Sequence, residues 1–187
     1  MSLHRSPSQL YPGSTLPDLR LRALVSGEYG REYAPFASSE HRGGWLILTY
    51  WPLACLLACP GEITEFGRRF DDFAAAGATV FGIAPDTHAI LHTWRSGRAI
   101  PGTLPLAIAE DRSGALAGLF GIEALGRDAA TMIVDPNGTV RAVFQASQHT
   151  SQHPGDACRN LESVLWRLKE LQLEIAEQAN REDPIAA

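Results

Sequence analysis

With 187 residues, 45% of them hydrophobic and 20% charged, the chain has the length of one domain and the composition of a chain that buries a core, not that of a disordered segment. Sixteen basic side chains against 21 acidic ones give a formal net charge of -5, and no basic block interleaved with aromatics occurs, so nucleic-acid binding lacks its electrostatic footprint. Lys169 is the only lysine and lies among charged neighbours in an amphipathic segment, which leaves Schiff-base chemistry almost no candidate.

Residues 1–16, broken by Pro7, Pro12 and Gly13, read as an irregular arm without the continuous apolar run of a secretory signal, and the expected location is the cytoplasm. A short strand follows from Asp18 to Leu24. Trp45 to Trp51 is apolar on both faces, as in a central strand covered from two sides. The apolar stretch containing it ends near Pro60 and is interrupted by Pro52, too short for the roughly 20 residues of a membrane span. A loop from Pro52 to Cys59 leads to a helix: Pro60 suits the first helical position, Ile63, Phe66, Phe70 and Phe73 recur at helical spacing, and Gly77 ends the run.

Gly77 to Asp86 predicts a second buried strand and Thr87 to Gly97 a second helix, so that strand, helix and strand form a parallel crossover. Leu104 to Ala109 is a third strand and Ser113 to Phe120 a short helix. Ala130 to Asp135 and Thr139 to Phe144 flank Pro136-Asn137-Gly138, the composition of a hairpin turn. Leu161, Val164, Leu165, Leu168 and Leu171 give a closing amphipathic helix that reaches at least Leu173. The expected organisation is an arm over 1–16, a single domain over 17–175 and a polar, fraying tail over 176–187. Its fold class is α/β, a mixed sheet with helices on both faces and thioredoxin-like topology.

Three cysteines, an odd number, make no disulfide framework and suit a reducing compartment. Cys59 falls at the N-cap of the helix that Pro60 opens, where unpaired backbone N–H groups and the helix dipole favour a thiolate, the nucleophilic form of the residue. A buried structural cysteine is the alternative use.

The segment Tyr50-Trp51-Pro52-Leu53 followed by Cys59-Pro60-Gly61-Glu62-Ile63 resembles the peroxiredoxins of the alkyl hydroperoxide reductase and thiol-specific antioxidant branch. The resemblance runs from about Glu32 to Leu173 and also rests on Ser39 to Trp45, Asp86-Thr87, Trp94, Glu110 to Gly114, Ala130 to Pro136 and Arg159-Asn160. It implies that Cys59 is the peroxidatic thiol, attacking a peroxide O–O bond to form a sulfenic acid. It also implies that Pro52 belongs to the active-site motif and that Glu62 pairs with Arg159 behind it. No metal or organic cofactor is implied. The partners would be a peroxide, an external thiol or thioredoxin-like reductant, and a second copy of the chain in a homodimer.

Two positions depart from the family pattern: Leu56 stands where a threonine hydroxyl is expected, and Ala129 where an arginine is expected. Arg127, two residues earlier, is a substitute if its loop folds back. The tail from Gln172 to Ala187 holds no resolving cysteine, which leaves Cys55 and Cys158 as candidates whose other role is packing. Loss of two donors defines a second reading, a peroxiredoxin-fold redox sensor or interaction protein without efficient turnover. His88 and His92, and again His149 and His153, have the i, i+4 spacing of a metal pair but no obvious third ligand, and a solvated surface pair is the simpler reading of each.

Overall fold

All six residues from Trp45 to Tyr50 are buried, so the sheet must grow on both sides of this strand and be covered on both faces. The computed structural model describes residues 9–26, 28, 30–51, 60–95, 105–123, 128–146 and 161–182. Its elements are β1 (Arg20–Leu24), β2 (Tyr33–Ala37), β3 (Trp45–Tyr50), α1 (Pro60–Ala75), β4 (Ala78–Ala84), α2 (His88–Arg95), β5 (Ala107–Glu110), β6 (Ala129–Val134), β7 (Val140–Ala146) and α3 (Leu161–Glu182), with 3-10 helices at Ser38–His41 and Ala117–Phe120.

The seven strands form one sheet in the order β2-β1-β5-β4-β3-β6-β7. The inner strands β3, β4 and β5 are parallel, and β1, β2, β6 and β7 join antiparallel to their neighbours. The successive right-handed crossovers β3-α1-β4 and β4-α2-β5 advance in one direction, which sets α1 and α2 on the same face. Alternation along the strands sorts the core accordingly. Ile47, Val80, Ala84, Ile108 and Ile133 meet Phe66 and Phe73 of α1, Leu91 of α2 and the leucines of α3. On the opposite face Leu46, Leu48, Phe81, Ile83, Met132 and Val134 meet Leu16 and Leu19 of the N-terminal segment and Ala117 and Phe120 of the 3-10 helix. Among the described residues the three α-helices therefore share one face, and the other is covered by a 3-10 helix and extended chain.

Three elements differ from the sequence reading. β2 has no counterpart in the sequence reading, and Pro35 at its centre cannot donate to a ladder. It is tolerated because β2 is an edge strand: Ser38 and Val25 bond across to Leu19 and Glu32, and the alternation this sets points the Pro35 nitrogen away from β1. The expected helix at Ser113–Phe120 shortens to one 3-10 turn, closed by Gly121 with φ of 70°. The closing helix continues to Glu182, two turns into the expected tail, with Arg167 bridging Glu170 at 2.9 Å and Glu174 at 2.8 Å.

The β6–β7 hairpin is organised by Asp135, whose Oδ1 accepts the Asn137 and Thr139 N–H groups at 2.9 Å each. Gly138 sits there with φ of +79°, and a Cβ placed on it would fall on the Arg42 guanidinium, which itself donates to the Asn137 carbonyl. Gly77, after α1, has φ of +67° with nothing within 4 Å of the same added atom. The two positions thus share a left-handed backbone angle, which strains any substituent, and differ in space. Gly77→Ala should cost about 1–2 kcal/mol, the left-handed penalty alone. Gly138→Ala should cost more, by about 1–3 kcal/mol for overpacking. Chemical denaturation of both variants reads the difference, and equal losses would show that Arg42 swings away freely.

Candidate active site

The parallel strands β3, β4 and β5 end together, and the residues that follow them converge at one end of the sheet, where open α/β sheets carry their ligands. The ladder extends one residue past β3, with the Trp51 N–H donating to the Ile83 carbonyl at 2.9 Å, and Asp111, just after β5, donates its N–H to the Ala84 carbonyl at 2.7 Å. Ala130 of β6 lies opposite Tyr50. α1 opens at Pro60, directly after Cys59 in the sequence, and its second turn returns to this end through Phe66.

Tyr50 and Trp51 point to opposite faces and hold this end from both. The Trp51 indole is 1% exposed and meets the Phe66 ring edge-on, with centroids 5.3 Å apart at 89°. Tyr50, fully buried, packs against Phe120 at 5.5 Å and donates its hydroxyl to Asp111 Oδ2 at 3.2 Å. The same Oδ2 accepts the Leu116 N–H at 2.9 Å, and Oδ1 accepts the Ser113 hydroxyl at 3.2 Å. One buried carboxylate thus ties the end of β3 to the chain leading into the 3-10 helix. Asp86, after β4, is a second buried carboxylate nearby, 2% exposed. Burial, first, and then the charges of Asp111 and Asp86 push the Tyr50 hydroxyl far above its usual range, so it remains a donor.

Of the residues singled out in the sequence, Cys59, Pro52, Leu56, Cys55, Cys158, Arg159, Arg127, His149 and His153 lie outside the described residues. Glu62 belongs to the first turn of α1. Ala129 opens β6 opposite Ala146 and is buried. His88 and His92 lie on α2 with ring centroids 6.0 Å apart; the His88 ring rests on Tyr33 of β2 at 4.8 Å. Among the described residues no group of three His, Cys, Asp or Glu side chains is placed to hold a metal. The sequence reading assigned no role to Tyr50, Asp111 or Asp86. The signal was present in outline, polar groups at the ends of three buried strands, but only coordinates join Tyr50 to an aspartate 61 positions away.

The folded Tyr50 hydroxyl ionises above the ordinary value of 10.0. Its contribution to stability is complete below pH 10 and is lost as pH rises beyond it toward the folded value, because the unfolded chain releases that proton first. Tyr50→Phe should therefore flatten the alkaline limb of the stability profile. At neutral pH it should cost about 1.5–3 kcal/mol, the worth of a hydrogen bond to a charged group. Urea unfolding between pH 8 and 11 measures both effects, and a parallel alkaline slope in the variant would assign that limb to other groups.

Residues 12–143 match the model of the AhpC/TSA family. The alkyl hydroperoxide reductase C of Mycolicibacterium smegmatis is 31% identical over 170 residues, covering 86% of this chain and 84% of that protein. The Escherichia coli K12 protein of the same name is 24% identical over 148 residues, covering 68% and 79%. Among solved structures, Mycobacterium tuberculosis AhpC superposes with a TM-score of 0.72 at 28% identity, over 88% of this chain and 94% of that one. Enterococcus faecalis AhpC gives 0.74 at 22% identity over 91% and 97%, a likeness of fold. The parallel β3-β4-β5 core, its antiparallel flanks and the helix that opens after Cys59 are accordingly a thioredoxin-like peroxiredoxin fold, and the chain belongs to the AhpC/TSA family.

Proposed function

We propose that this protein reduces hydrogen peroxide or organic hydroperoxides through Cys59 and is recycled by an external thiol. Family membership makes the chain a thiol peroxidase; the assignment to Cys59 rests on one observation, that α1 begins at Pro60, so the residue before it in sequence is the one its first turn would serve. Unpaired N–H groups and the positive end of a 16-residue helix favour an anion there. The thiolate attacks the distal peroxide oxygen, the O–O bond breaks, and the sulfur becomes a sulfenic acid while the alkoxide or hydroxide takes up a proton. A thiol donor then displaces water to form a mixed disulfide, and a second thiol reduces it. Pro52, Glu62, Arg159 and Arg127 are the supporting residues in this reading, with Cys55 and Cys158 the internal thiols that compete with an external donor. A reducing compartment, the cytoplasm, suits three cysteines.

Reduced protein given one equivalent of peroxide should gain one oxygen on Cys59, whereas an internal disulfide would show as a loss of two hydrogens. Intact mass spectrometry of the wild type, Cys59→Ser and Cys158→Ser separates these, and oxygen uptake that persists in Cys59→Ser overturns the assignment. Leu56 and Ala129 carry no side-chain donor. Restoring both as Leu56→Thr with Ala129→Arg should accelerate peroxide consumption more than about tenfold, less than one oxyanion donor contributes in other enzymes. Stopped-flow oxidation tests it, and equal rates would mean that another group already serves the peroxide.

We also place a homodimer on the β7 edge. Of the two sheet edges, β2 carries Pro35 at its centre, a common guard against strand addition, while β7 spans seven residues without a proline. The N-terminal segment takes only its beginning, through Gly13 and Ser14 bonding Val140. Successive residues of a strand point their N–H groups to opposite sides, so either Val143→Pro or Phe144→Pro must remove an outward donor. Light scattering should show a dimer in the wild type and a monomer in that variant; a monomeric wild type at micromolar concentration sinks the placement.

A further inference from the structure

Trp51 is the residue from which the chain leaves β3 toward Cys59, and it touches both things that fix the seat of α1. On one side its ring meets Phe66 edge-on. Phe66 continues to Phe73 one heptad along the helix, with centroids 6.4 Å apart, so three aromatic side chains run along the underside of α1. On the other side Trp51 rests on Gly82 of β4. A Cβ built on Gly82 would stand 2.5 Å from Trp51 Cζ3, 3.0 Å from Leu106 Cδ1 and 3.3 Å from Ile108 Cγ1. The missing methyl group is the space the indole fills. Gly82 needs no unusual backbone angle, so its reason for being glycine is this close approach.

We propose that Trp51 is a positioning residue of the peroxidase reaction: wedged between Gly82 and Phe66, its indole sets the height of the first turn of α1 over the sheet. This rests on the reading of Cys59 as the reacting thiol, since that turn carries the N–H groups following it. A helix terminus acts on an anion over the length of about one turn, so a displaced α1 loses part of its hold on the thiolate. Interiors this closely filled do not absorb an added methyl group without such a shift. Trp51 is a lever on Cys59 that need not touch substrate.

The size relation supplies the experiment. Gly82→Ala should push the indole against Phe66 and tilt α1, raising the pH midpoint of Cys59 alkylation by about one unit, a tenfold fall in the thiolate-to-thiol ratio at any fixed pH. Adding Trp51→Phe to Gly82→Ala removes the six-membered ring that holds Cζ3, and should restore the midpoint to within about 0.3 unit of the wild type, about twofold in the thiolate-to-thiol ratio. Loss of packing alone would make the double variant worse than either single one. Circular dichroism establishes that each variant is folded. Should Gly82→Ala not fold, Phe66→Leu removes the other wall and should move the midpoint in the same direction. A folded Gly82→Ala with an unchanged midpoint, a double variant no better than the single one, or an unmoved Phe66→Leu overturns the proposal and leaves the function reading standing. Peptide mapping of the wild type reports on that reading separately: if Cys55 or Cys158 labels ahead of Cys59, the assignment of the reacting thiol falls and the proposal falls with it.

Discussion

A strand buried on both faces and paired in parallel cannot turn directly into its neighbour; the chain must leave the sheet, cross a face and re-enter at the opposite end. β3 imposes that constraint here, and the rest of the architecture depends on it. The crossover to β4 requires a helix, the helix must begin at the carboxyl end of β3, and its N-terminus then offers unpaired N–H groups at that end. Cys59 stands immediately before that helix in sequence. A chemical position is thereby created by a topological requirement, before any side chain specialised for catalysis is considered. The second crossover repeats the move with α2 and brings Asp86 to the same end.

The two residues that finish the ladder divide the work of holding that end. Tyr50 is tied on the face opposite the three described α-helices by a hydrogen bond to a carboxylate that also holds Leu116 and Ser113. Trp51 packs on the helical face against Phe66 and Gly82. These fixings fail differently. Removing one partner of the Tyr50–Asp111 bond leaves a buried polar group to be satisfied, a cost of about 1–3 kcal/mol, whereas a misfit under Trp51 is relieved by moving a helix. The polar side therefore governs stability and its pH dependence, and the apolar side governs where α1 sits.

What the sequence disclosed follows the same division. Periodic apolar runs with terminal signals were legible: Pro60 and Gly77 bracket α1, and Pro136-Asn137-Gly138 separates β6 from β7. β2 was illegible because Pro35 counts against a strand until the strand is known to be an edge, and that depends on the order of the whole sheet. The end of α3 stays open in the sequence beyond Leu173 because residues 176–182 offer no apolar stripe, their helicity being carried on from the packed turns before them. Gly82 reads in sequence as a weakness in a strand; only the position of the Trp51 ring gives it a purpose. The Tyr50–Asp111 bond spans a separation that no local pattern encodes.

Leu56 and Ala129 sharpen the consequence of this division. In an active site with a hydroxyl and a guanidinium directed at the thiolate, backbone N–H groups are one contribution among several, and a small shift of the helix is offset by side chains that follow the anion. Neither Leu56 nor Ala129 has a donor to supply, and Ala129 is buried at the start of β6. On the proposed reading of Cys59, an anion without those two side-chain contributions depends more heavily on the first turn of α1. The field of a helix end falls off within about a turn, so that dependence is steep in position. Close filling beneath α1, an indole against a glycine on one side and against Phe66 on the other, is the arrangement such a steep dependence requires. On the proposed reading of Cys59, an apolar contact that carries no charge thus governs how much charge the sulfur bears.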